Sequence, residues 1–186
     1  EFRHIIVYYL YFICCILSMI KYKLNGEDHS CEWNNLVFDI TKNVENDVVY
    51  IFEPNQDIYI NKSVNFVGPN VTLDFNNCKL HTDNEIIVYN EGFIKNANVV
   101  CDVGNIDYNE NQENIFGFLC CTNENSINNV MFEMSGNLEY NVTSDAHSVF
   151  GLLVGVNKGN ISDINMKNDE IIIKVGSQCT MKYGTL

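Results

Sequence analysis

Positive charge is what this chain has least of. Eleven Lys and Arg stand against 24 Asp and Glu, a formal net charge of -13, and Arg3 is the only arginine. Phosphate contacts need clustered Lys and Arg, so nucleic acid is not expected as a partner. Proline is almost missing, with two residues. There is no Cys-x-x-C and no Cys/His spacing of the kind that holds zinc. Paired Asp-Asp, His-Gly and Arg-x-Lys are also absent. Asn, Ile, Val, Phe and Tyr are plentiful instead. Asn serves turns, and β-branched and aromatic residues serve strands, so an all-β chain is expected. Its 186 residues suit one domain with a sizeable core.

The N-terminus reads as a targeting segment. "IIVYYLYFICCILSMI" is unbroken from Ile5 to Ile20, and polar "KYKLNGEDHS" follows. The run is long for a signal-peptide core, slightly short for a bilayer span, and has no good small-x-small cleavage site after it. A cleaved signal and a membrane anchor through 5–20 both remain open for residues 1–26. With no initiator Met and no obvious end signal, a fragment of a longer protein is the expectation. The sequons at Asn61, Asn70, Asn141 and Asn160 agree with export. Secretion or a cell-surface location is therefore expected.

Cys31, Cys78, Cys101, Cys120, Cys121 and Cys179 lie beyond the apolar run that holds Cys14 and Cys15. They fit a disulfide set or small buried hydrophobes equally well. Adjacent Cys120 and Cys121 on a strand face opposite ways, so one of them at most is expected inside.

A self-comparison organises the rest. "IFGFLCCTNENSINNVMFEM" from Ile115 aligns with "VFGLLVGVNKGNISDINMKN" from Val149 without a gap, at an offset of 34 residues. A fainter copy, "IIVYNEGFIKNANVVCDV", lies 33 residues upstream. Ile94, Ile127 and Ile161 coincide, as do Ala97, Val130 and Ile164, then Val99, Phe132 and Met166. Asn90, Asn123 and Asn157 coincide at a bend, where Asn tolerates a left-handed backbone and can bond its counterparts. Gly151 and Gly155 are read as sites of tight bending or close backbone approach. Periods of this size mean stacked units.

Each copy reads as about three short strands; in the last they are 150–156, 161–166 and 171–175. Asn-Gly hairpin signals are missing between them. The expected fold class is an all-β, single-stranded parallel β-helix (β-solenoid) behind an N-terminal apolar helix. Residues 27–47 form a cap through Trp33, Leu36, Phe38 and Ile40. Residues 48–186 form the β-helix, with repeats at 86–114, 115–148 and 149–182. The polar loops 107–114 and 141–148 fall at the same place in successive copies, and one edge of the fold is where a ligand is expected.

"FGLLVGVNKGNISDI" resembles the GLUG repeat through Gly151, Leu152, Val154, Gly155, Asn157, Gly159 and Ile161. The copy at Phe116 keeps Gly117, Leu119, Asn123 and Ile127. "NVTLDFNN" is similar to a rung of pectin-lyase-like right-handed β-helices. These resemblances cover about 48–176. They imply a large secreted or surface protein, adhesin-like in the GLUG case.

Enzymes of the pectin-lyase type need clustered carboxylates, or Asp-bound calcium with an Arg base. Asp74, His81 and His147 each stand without a visible partner. Asp102, Asp107, Asp145, Asp163 and Asp169 lie at acidic bends, but no calcium loop of the D-x-D-x-D-G kind is present. The expectation is a non-enzymatic adhesin or surface antigen with no metal or cofactor and a carbohydrate or protein partner. The alternatives are a fragment of a polysaccharide-acting enzyme and a structural stalk.

Overall fold

The computed structural model describes residues 19–42, 45–102, 105–108, 114–135, 139–142, 148–168 and 181–184. Its first feature is made by two residues. Asn25 (φ 50°) and Gly26 (φ 93°) are both left-handed. They join β1 (Ile20–Leu24) to β2 (Glu27–Cys31) as an antiparallel hairpin. Asn-Gly supplies the two positive φ values that the tightest hairpin turn requires. Asn25 also holds β3 (Val48–Phe52): its Oδ1 accepts from the Val49 amide at 2.9 Å. β3 then pairs antiparallel with β1.

Next comes the one helix among the described residues, α1 (Trp33–Ile40). Trp33, Leu36, Val37 and Ile40 are buried, the spacing of one helical face. Trp33 Nε1 donates to the Lys62 carbonyl at 2.7 Å. Phe38, expected inside, is 60% exposed, with Lys62 Nζ 3.9 Å above its ring.

The remaining pairs are parallel. β6 (Val71–Asp74) lies beside β3. β9 (Phe93–Asp102) pairs through its first half with β6 and through its second with β7 (Lys79–Thr82), which pairs onward with β4 (Asp57–Tyr59). β13 (Ser126–Ser135) and β17 (Asn160–Asn168) extend the sheet to nine strands. A second sheet runs β5 (Val64–Val67), β8 (Ile87–Asn90), β12 (Cys120–Asn123), β16 (Val154–Asn157). A third joins β11 (Asn114–Phe116), β15 (Ser148–Gly151) and β18 (Met181–Gly184), and a fourth pairs β10 (Asn105–Tyr108) with β14 (Glu139–Val142).

The expected fold class is corrected by this topology. The nine-stranded sheet is mixed, because β1 runs antiparallel to both its neighbours. The period also changes along the chain. Val48 pairs with Val71 and Asp57 with Lys79, offsets of 23 and 22 residues. Ile94 pairs with Ile127 and Ile127 with Ile161, offsets of 33 and 34. The longer intervals hold extra strands that pair in sheets of their own, so one uniform coil of three strands does not describe the chain. Residues 1–18 of the apolar segment lie outside the described residues. Its last residue, Ile20, opens a strand rather than ending a helix, and the boundary expected at 26 falls in the hairpin turn. Among the described residues no helix is long and apolar enough to cross a membrane. The strand expected at 171–175 also lies outside them.

The core follows the parallel registers. Leu73, Ile94 and Ile127 are buried in line, with half-buried Ile161 next. Leu80, Val99 and Phe132 make another row that ends in Met166. Each fully buried side chain of these rows contributes about 1.5–3 kcal/mol before entropy costs. Phe116 stacks on Phe150, centroids 5.6 Å apart at 5°. Gly151 has a specific reason: a Cβ there would run into the Val154 carbonyl. Gly155 has another, since its Cβ would sit 2.6 Å from the Phe116 carbonyl oxygen.

Candidate functional site

Tyr59 is an exposed aromatic, at 71%. Its segment alternates strictly: Asp57 out, Ile58 in, Tyr59 out, Ile60 in, Asn61 out. β4 pairs with β7 so that Tyr59 lies beside His81. The two rings stack at 4.7 Å and 15°. His81 Nε2–H donates to Asp57 Oδ1 at 2.8 Å, because a carboxylate only accepts. Tyr59 is the common wall of two clefts of about 250 Å³ each. One is lined further by Glu32, Trp33, Gln56 and Asn61, the other by His81, Thr82 and Asp83. Asp57 orients His81 as a carboxylate orients a general base. The Thr82 hydroxyl in the same cleft, however, donates to the Asn84 carbonyl at 2.5 Å. The arrangement is a braced aromatic surface with hydrogen-bonding walls.

Two rows of amides run across the parallel strands. In the first, Asn90 Nδ2 donates to Asn123 Oδ1, and Asn123 Nδ2 donates to Asn157 Oδ1, both at 2.7 Å. Asn90 and Asn123 are fully buried. The backbone there is not left-handed. Within β9, β13 and β17 the left-handed residues are instead Asn96, Asn129 and Asp163, at the bends of these strands. These form much of the second row, which sequence reasoning missed. Asn129 Nδ2 donates to Asn96 Oδ1, and Asn96 Nδ2 to Asp74 Oδ1, both at 2.7 Å. The signal was present as a second pair of asparagines at the 33-residue offset. Asp74 is thus fully engaged: it also meets Lys95 Nζ at 3.1 Å and accepts from the Asn76 amide. Asp163 accepts from Asn128 Nδ2 at 2.9 Å.

A third cluster sits on the second sheet. Tyr89 and Lys158 both donate to Glu124 Oε1, at 2.9 and 2.6 Å. The Lys158 hydrogen bond, with help from Tyr89, lowers the Glu124 carboxyl below its ordinary value. Glu124 in turn raises Lys158 and Tyr89.

Cys31, Cys78, Cys120 and Cys121 are thiols. Cys120 and Cys121 are both buried, against expectation. The alternation rule assumes one open strand face, whereas β11 lies against β12 and β16 and covers the other. Burial pushes both thiols up, Cys121 to about 12.

No family model, curated protein or solved structure matches the chain.

The resemblance to GLUG and pectin-lyase-like repeats therefore rests on the quoted residues alone. Of the sequons, Asn61 and Asn160 are exposed and Asn70 is half-buried. Asn141 is described only as a backbone partner of Asp107 in β14 and β10. His147, Asp145, Asp169 and Cys179 lie outside the described residues. Among the described residues, no three His, Cys, Asp or Glu are grouped to hold a metal ion.

Proposed function

We propose that the chain is a non-enzymatic, exported protein that acts at a cell surface as an adhesin or surface antigen. The apolar run to Ile20 and the four sequons support export. One structural observation supports a binding edge. The polar loops 107–114 and 141–148 leave from in-register neighbours, Asp107 beside Asn141 and Tyr108 beside Val142. They return to in-register neighbours as well, Asn114 beside Ser148. Both ends of both loops are therefore held side by side on paired strands. The carbohydrate or protein partner is proposed to bind along this edge. The test is an antibody to 107–148 applied to intact native cells, with a permeabilised control. Labelling of intact cells is the expected result, followed by weaker adhesion when the antibody is present. Labelling after permeabilisation alone would overturn the reading.

A further inference from the structure

We infer that Asn61 is the sequon whose attached glycan becomes part of the folded surface, its first sugar ring packing on Tyr59. This rests on the export reading above. The four sequons are not equivalent. Asn70 Nδ2 donates to the Glu45 carbonyl at 3.2 Å, and a glycan there would compete with that contact. Asn160 follows Lys158, which is committed to Glu124. Asn61 is exposed, and among the described residues its amide has no hydrogen-bond partner. It also follows Tyr59 by two residues in an extended segment. Residues i and i+2 of such a segment project from one face, roughly 6.6 Å apart. Tyr59 and Asn61 line the same cleft.

The ring is suited to a sugar. It is 71% exposed and backed by His81, which Asp57 holds in turn. Its uncovered area presents an apolar, electron-rich face to the C–H side of a pyranose, while the Asn61 linkage sets the sugar beside it. Ordering costs are small because ring, histidine and carboxylate are already in place. Attachment joins Asn61 Nδ2 to the anomeric carbon of a lipid-linked oligosaccharide diphosphate. The anomeric C–O bond breaks, the diphosphate leaves with the electron pair, and the amide gives up one proton. Ser63, the third residue of the sequon, donates its hydroxyl to the Glu85 carbonyl at 2.8 Å in the fold. Glu85 follows it by 22 residues, so transfer precedes that contact.

The test uses the full chain secreted from eukaryotic cells behind a cleavable leader. Peptide mapping before and after peptide N-glycosidase reads occupancy, and melting of both forms reads the packing. Asn61 is expected to be occupied, and removing its glycan to lower the melting temperature by roughly 2–4 °C. In Tyr59→Ala that difference should vanish; in Tyr59→Phe it should persist. An unmodified Asn61, or an equal difference in Tyr59→Ala, overturns the inference. Mapping of the native protein separates the two readings. A native chain that labels at the surface with Asn61 unmodified overturns the glycan site alone. A native chain never found outside overturns export, whatever the leader-driven protein shows.

Discussion

Asn123 is the residue on which the first amide row turns. It is fully buried, donates to Asn157 and accepts from Asn90. Asn123→Ala leaves the Asn90 amide short of an acceptor in a dry site. Leaving a buried polar group unpaired costs about 1–3 kcal/mol, more than the net worth of the bond itself. The urea midpoint is therefore expected to fall with an unchanged slope; an unmoved midpoint would show that the row contributes nothing net. Reactivity follows burial in the same way. Cys120 and Cys121 are both covered, whereas Cys31 is only half-buried. Alkylation of the native chain at pH 8, read by peptide mapping, should label Cys31 well before either of the pair. Early labelling of Cys121 would show that β11 does not protect it. The first amide row was legible in the sequence because parallel, in-register strands place equal offsets side by side. The burial of Cys121 was not, since strand alternation carries no record of a second layer.

At the scale of elements, the hairpin and the helix are the parts that sequence reasoning passed over. Asn25-Gly26 is a strong local signal, but it falls at the end of residues 1–26, read as one targeting segment, and was absorbed into it. Helix α1 was hidden by its length: eight residues give only two turns of periodicity, and Phe38 is a plausible alternative to Val37 for the inner face. The pairing of Tyr59 with His81 was also out of reach, because the 22-residue offset between β4 and β7 is shorter than the visible repeat. Gly26 tests the hairpin. At φ 93° a β-branched side chain is strained, and no neighbouring atom lies within 4 Å of its Cβ position to add a clash. Gly26→Val should therefore cost about 1–2 kcal/mol through backbone strain alone. Hydrogen exchange should show β1 and β2 opening faster while β9 and β13, paired on both sides in the sheet, keep their protection. Equal acceleration in both regions would mean that the hairpin unfolds only with the whole molecule.

Over the whole molecule, electrostatics pull in two directions as pH falls. The net charge of -13 makes the compact state repel itself at neutral pH. Protonating carboxylates relieves that repulsion, as does salt. Against this stand Glu124 and Glu133, both lowered chiefly by a lysine hydrogen bond, from Lys158 and Lys167. A carboxyl whose folded pKa is depressed adds stability above its unfolded value and loses it as pH falls through the folded one. These pairs are exposed and individually weak, and they involve two of the 24 acidic residues. Relief of repulsion should dominate first. The melting temperature is expected to change little from pH 8 to about pH 5, to rise as carboxylates protonate towards the isoelectric point of about 4.5, and to fall below that. Added sodium chloride should raise it at pH 8 and do much less near the isoelectric point of about 4.5. In Glu124→Gln the acid-side fall should be shallower and the rise on the alkaline side unchanged. A profile that declines steadily from pH 8 downward would show that paired carboxylates, rather than net charge, govern the stability of this acidic chain.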